Sequence, residues 1–213
     1  MPDFLANLHR SGIVAVIRAD RAEDALAMAR CAISGGISLV EISCHTPSLG
    51  AILPQLQAEF DRVWFGVGTI TDRARAVECI EMGSKFLFSP IHEGDLIRVA
   101  KDRGIPIVAG AATPSEIFQA WQRDADGVKV FPIANLGGAA YLKSIKAVFP
   151  HIPLVPTGGV TIENANQLLQ AGAIALGASG YLFPPTLVKA QDWDGITKRV
   201  QQLIQAIRSG QTN

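Results

Sequence analysis

Apolar and polar positions along the chain alternate between two kinds of segment. Short, nearly continuous apolar runs rich in β-branched residues occupy 12–18, 38–43, 63–68, 85–89, 106–110, 127–131, 153–158 and 173–179. Between them lie longer stretches with apolar residues spaced near 3.6, the signature of amphipathic helices. Strands apolar along their whole length imply a sheet covered on both faces, hence parallel strands joined by helical crossovers. The helical stretches carry their own punctuation. The first ends at Gly35-Gly36, a helix stop signal. Thr113, Pro114 and Glu116 have the spacing of a capping box with proline at the first helical position, and a similar start is expected at Thr161.

Eight strand–helix units in 213 residues predict a compact α/β fold, a single (β/α)8 TIM barrel domain over residues 1–213, with 207–213 as a frayed tail. An open doubly wound sheet is the alternative, although it usually has fewer units.

Composition narrows the function classes. Lys plus Arg and Asp plus Glu each number 19, for a formal net charge of zero. No basic excess points to nucleic acid. No apolar run approaches the roughly 18 residues of a membrane span, and no apolar segment precedes the first charges as in a signal peptide. Cys31, Cys44 and Cys79 are widely spaced, match no metal-ligand pattern, and read as free thiols in a reducing cytoplasm. Cys44 lies close enough to the polar strand ends to be weighed as a catalytic thiol.

Barrel chemistry collects where strands end, and the polar residues do gather there. Arg18 closes the first run. Glu41, Ser43, Cys44, His45 and Thr46 follow the second, and Thr69 follows Gly66 and Gly68 at the end of the third. Ser89 and Pro90 close the fourth; Lys129 and Phe131 belong to the sixth. Thr157, Gly158 and Gly159 end the seventh, and Gly177, Ser179 and Gly180 the eighth. The last two sets offer backbone N–H groups without side chains in the way, as an anion site needs; glycines that only make tight turns would look the same. Lys129 stands between Val128 and Val130, where a charged amine is costly. Burial lowers a lysine pKa, and a neutral amine attacks carbonyls to give a Schiff base, an electron sink for C–C cleavage. Glu41, an acidic residue inside an apolar strand, is the candidate proton shuttle. A buried structural ion pair explains the same two residues.

Together, Glu41-Ile-Ser, Gly66-Val-Gly-Thr69, Ser89-Pro90, Lys129-Val-Phe131-Pro132, Pro156-Thr157-Gly158-Gly159 and Gly177-Ala-Ser179 closely resemble the class I KDPG/KHG aldolases, in that family's order and over nearly the whole chain. The resemblance implies a (β/α)8 barrel, usually a homotrimer, that cleaves small 2-keto acid sugar phosphates through a lysine Schiff base with no metal or other cofactor. It assigns Lys129 as the Schiff-base lysine and Glu41 as the general acid/base. Thr69 falls near the bound pyruvate, and Pro90 and Phe131 around the imine. Thr157, Gly158, Gly159 and Ser179 fall on the carboxylate- and phosphate-side loops. It implies 2-keto-3-deoxy-6-phosphogluconate as substrate, 4-hydroxy-2-oxoglutarate as a second, and oxaloacetate decarboxylation as a side activity.

One position departs from the pattern. Typical 2-keto-3-deoxy-6-phosphogluconate aldolases have a substrate-binding arginine where this chain has His45, and imidazole is a weaker anion clamp than a bidentate guanidinium. The sister 2-keto-3-deoxy-6-phosphogalactonate aldolases also lack that arginine and end their first strand in arginine, as this chain does at Arg18. His45 is therefore expected to bind substrate, titrate or fill space. Arg18 is expected to stand in for the missing guanidinium or to pair with Glu41. A non-covalent phosphate-binding isomerase and a non-catalytic sugar-phosphate binder remain as rivals.

Overall fold

The computed structural model describes residues 4–211. In chain order the elements are α1 (Phe4–Ser11), β1 (Ile13–Ile17), α2 (Ala22–Ser34), β2 (Leu39–Ser43), α3 (Leu49–Glu59), β3 (Trp64–Gly68), α4 (Arg73–Glu81), β4 (Leu87–Phe88) and α5 (Gly94–Asp102). They continue as β5 (Ile107–Ala111), α6 (Pro114–Gln122), β6 (Gly127–Val130), α7 (Gly138–Val148), β7 (Leu154–Pro156), α8 (Ala165–Gln170), β8 (Leu176–Ala178), α9 (Pro185–Lys189) and α10 (Trp193–Gln211).

All eight strands pair in parallel, in the order β7-β6-β5-β4-β3-β2-β1-β8. Parallel bridges from Leu154 to Ala173 and from Thr157 to Gly177 bring the two ends together, so the sheet is a nearly closed, TIM-like barrel and not an open doubly wound sheet. No helix among the described residues is long and apolar enough to cross a membrane.

Period-2 alternation sorts each strand into an outer and an inner set. Ile13, Val40, Ile42, Val67, Leu87, Ala109, Val128 and Val130 pack outward against the helices. Val14, Leu39, Phe86, Phe88, Val108 and Val155 form a smaller cluster inside the barrel. Helix α1, absent from the elements predicted above, closes the barrel's N-terminal end. It inserts Phe4 beside Trp64 and Phe86, with ring centroids 6.0 and 5.4 Å apart. The plug is apolar: Phe4 and Leu8 join the inner cluster with Phe86, Phe88 and Val155.

Two of the helix signals take the expected form. Thr113 and Glu116 form the reciprocal capping box, with Pro114 in the first turn, and Gly35 and Gly36 end α2. The start expected at Thr161 is displaced. The Asn164 side chain accepts from the Thr161 N–H at 2.9 Å and donates to the Gly159 carbonyl at 2.8 Å, which stabilises a turn and delays α8 to Ala165. Helix α10 runs to Gln211, with Leu203, Ile204 and Ile207 buried against the barrel. Residues 212 and 213 lie outside the described residues.

Candidate active site

Lys129 occupies an inward position of β6, flanked by the outward Val128 and Val130. Glu41 occupies the corresponding inward face of β2, two residues past the inward Leu39. The two meet inside the barrel with Lys129 Nζ 3.8 Å from Glu41 Oε1 and side-chain exposures of 1% and 0%. No described residue donates a hydrogen bond to either Glu41 oxygen. The amine also lies 5.7 Å from the Phe88 ring centroid and 5.6 Å from that of Phe131.

Burial holds the Lys129 pKa below the ordinary value of 10.5; the nearby Glu41 charge opposes the shift and the Arg18 charge adds to it. Desolvation outweighs the ion pair here because the 3.8 Å contact lacks the donors that usually complete a buried salt bridge. The pair thus brings a poised amine next to a carboxylate whose lone pairs are open.

Gly68 makes room for this arrangement. A Cβ at that position would fall on the Glu41 carboxylate. Gly68→Ala is expected to push Glu41 off its present position, cutting kcat at least on the order of tenfold and destabilising the fold by about 1–3 kcal/mol. Steady-state kinetics and urea denaturation check both, and unchanged kcat would show that this placement of Glu41 is not needed.

Thr69, next in the chain, has φ 63°, a conformation that a β-branched residue adopts at a cost of about 1–3 kcal/mol. Its buried Oγ1 has no hydrogen-bond partner among the described residues. Strain and an unsatisfied hydroxyl together, one residue beyond Gly68, fit a group held for a ligand.

Above this buried layer two cavities open at the C-terminal ends of the strands. One, of 570 Å³, is lined by Arg18, Phe131, Thr157, Gly158, Gly159 and Ser179 among others. The other, of 680 Å³, is lined by Pro90, Gly110 and Phe131 and by the start of α5. Phe131 belongs to both and stands over Lys129. Gly158 and Gly159 have φ of 87° and 82°, a left-handed pair open chiefly to glycine.

Ten of the eleven predicted site residues therefore fall in one region: Lys129, Glu41 and Thr69 below, and Arg18, Pro90, Phe131, Thr157, Gly158, Gly159 and Ser179 around the two openings. His45 is the exception. It is exposed and lines neither cavity, and its backbone N–H meets Ser43 Oγ at 3.4 Å. Arg18 does not pair with Glu41; the ion pair to that carboxylate comes from Lys129.

Thr46, next to His45, was given no role in the sequence, yet its Oγ1 is buried without a hydrogen-bond partner among the described residues. Its place among the polar residues after β2 is legible in the sequence, but a loop residue carries no periodic signal of which way its side chain turns. Cys44 is buried, and its Sγ lies 3.3 Å from the Thr69 carbonyl. Burial raises its pKa, and pushes that of Cys79 up to about 12, so both stay thiols rather than nucleophilic thiolates. Among the described residues no group of three His, Cys, Asp or Glu side chains is placed to hold a metal ion.

A buried lysine–glutamate pair at the mouth of a parallel barrel is compatible with several chemistries, and comparison with known proteins separates them. The family model for KDPG and KHG aldolase matches residues 5–199. The chain belongs to the KDPG and KHG aldolase family. It is accordingly a lyase of the class I pyruvate aldolase kind. The 2-dehydro-3-deoxy-phosphogluconate aldolase of Treponema pallidum is 29% identical over 201 residues, covering 94% of this chain and 95% of that one. Among solved structures, native KDPGal superposes with a TM-score of 0.87 at 27% identity, covering 94% and 96% of the two chains. The Legionella pneumophila KDPG aldolase, with pyruvate captured at low pH as a covalent carbinolamine intermediate, superposes with a TM-score of 0.86 at 28% identity, covering 93% and 97%. Relatives of both kinds thus match this aldolase about equally well.

Proposed function

We propose that Lys129 and Glu41 carry a retro-aldol cleavage of 2-keto-3-deoxy-6-phosphogluconate to pyruvate and glyceraldehyde 3-phosphate. The observation that carries this reading is the desolvated Lys129 amine 3.8 Å from a Glu41 carboxylate that accepts no hydrogen bond from the described residues. The neutral amine adds to C2 of the keto acid, and Glu41 relays a proton to the departing hydroxyl as the carbinolamine loses water. The iminium then draws electrons from the C3–C4 bond while Glu41 takes the C4 hydroxyl proton. The aldehyde leaves toward the glycine-rich openings. The remaining enamine is protonated at C3, and water releases pyruvate and the free amine.

In this reading Thr69 lies near the bound pyruvate, with Pro90 and Phe131 packing on the imine. Arg18, Thr157, Gly158, Gly159 and Ser179 receive the anionic ends of the substrate. The same electron sink supports decarboxylation of oxaloacetate. Assembly as a homotrimer belongs to this reading.

A second reading, cleavage of the galactonate epimer, is favoured by one observation: His45 is exposed, and Arg18 is the guanidinium in the cavity. The test has two arms. Pyruvate with borohydride is expected to leave a reduced pyruvyl adduct on the peptide containing Lys129, read by mass spectrometry; folded protein without an adduct excludes the covalent mechanism and leaves the non-covalent isomerase. Comparison of kcat/KM for the gluconate epimer, the galactonate epimer and 4-hydroxy-2-oxoglutarate then identifies the substrate.

A further inference from the structure

The 570 Å³ cavity has a wall that no part of the reading above uses. Tyr181 lines it, two residues past Ser179 on the segment after β8. Arg199, in the middle of α10, reaches that segment from behind. Its guanidinium carbon lies 4.3 Å from the Tyr181 ring centroid, and its Nε donates to the Tyr181 carbonyl at 2.8 Å. One side chain thus fixes both the ring and the backbone of Tyr181, the geometry of a cation–π contact reinforced by a hydrogen bond.

The charge on Arg199 is not cancelled by a contact carboxylate: no acidic group lies within 4.0 Å of it among the described residues. Glu163, on the segment after β7, senses it at longer range. The Glu163 carboxyl is held below its ordinary pKa by the Thr161 side chain first and by the Arg199 charge to a lesser degree. The contacts with Tyr181 put the cation behind the segment after β8, which borders the cavity.

We propose that Tyr181 is a specificity-determining residue at the distal end of the substrate cavity and Arg199 its positioning residue, the pair favouring substrates whose aldehyde half ends in a phosphate. The inference rests on the aldolase reading of this site. Tyr181 is one of the residues lining the cavity, where its side chain would bear on the aldehyde half of the substrate. Arg199 is not itself a lining residue; it holds the ring and the Tyr181 carbonyl and sets a positive charge behind them. A substrate without the phosphate draws little from either.

The test compares wild type, Arg199→Met, Arg199→Lys and Tyr181→Leu on the phosphorylated 2-keto-3-deoxy acid and on 4-hydroxy-2-oxoglutarate. Arg199→Met is expected to raise KM for the phosphorylated substrate on the order of tenfold more than for the unphosphorylated one, with kcat changed less than KM. Arg199→Lys is expected to recover most of that difference, and Tyr181→Leu to reproduce part of it. Equal losses on both substrates, or no loss on either, overturn the proposal.

Titration of each protein with inorganic phosphate by calorimetry gives a readout independent of turnover. Weaker phosphate binding in Arg199→Met supports the proposal, and unchanged binding counts against it. If Arg199→Met does not fold, Tyr181→Leu carries both measurements. A wild-type protein that forms no pyruvate adduct on Lys129 but binds phosphate in an Arg199-dependent way would refute the aldolase reading while leaving the distal anion contact standing.

Discussion

Lys129→Met is expected to lower kcat by about 10⁴-fold or more, and to eliminate the borohydride-trapped pyruvyl adduct. Methionine fills much of the lysine's volume and keeps the contacts with Phe88 and Phe131 apolar, so the loss isolates the amine. Persistence of the adduct in the variant would place the nucleophile elsewhere. The same substitution has a signature in stability. Burial holds the folded-state pKa of Lys129 below the ordinary 10.5. Between those two values the unfolded chain carries a proton that the folded chain lacks, so stability rises with pH across that window. Below the folded-state pKa both states are protonated and the burial penalty is felt in full. Lys129→Met is expected to flatten that slope, measured by urea denaturation from neutral to alkaline pH. Activity has the matching dependence, falling as pH drops through the depressed pKa and the amine becomes protonated.

Glu41→Gln is expected to lower kcat by about 10²–10⁴-fold while leaving Lys129 able to form the trapped adduct, only more slowly. The amide matches the carboxylate in size and fits the space left by Gly68, but it cannot cycle a proton. Single-turnover measurement of adduct formation separates the two roles: a large loss in turnover with a smaller loss in trapping assigns Glu41 to proton relay. A variant with wild-type turnover would return the Lys129–Glu41 contact to a purely structural ion pair.

Most of the barrel was legible in the apolar pattern because strands covered on both faces must be apolar throughout. Lys129 and Glu41 were legible for the same reason: each interrupts such a strand with a charge. Phe131, Thr157 and Ser179 followed from the rule that strand ends carry the chemistry, and the family resemblance attached roles to them. His45 was harder. A loop residue has no periodicity to say which way its side chain leaves the backbone, and here it faces solvent while Thr46 is buried. The start of α8 moved because Asn164 caps a turn before the helix can begin, a competition between two local hydrogen-bonding solutions that the spacing alone does not rank. Arg199 was invisible because it lies on the last helix, 18 residues from the carbonyl it holds, and only the packing of α10 brings it to Tyr181.

By itself the sequence determined the parallel α/β architecture, the family, and the two residues whose burial is chemically costly, since all three are written in local pattern and residue type. Tertiary structure alone decided that Lys129 and Glu41 meet across the barrel interior, that Arg18 rather than His45 lines the cavity, and that an apolar plug from α1 closes the opposite end. Those outcomes depend on which strand faces which across a closed sheet, and on how long side chains from distant helices pack. Neither is encoded at short range along the chain.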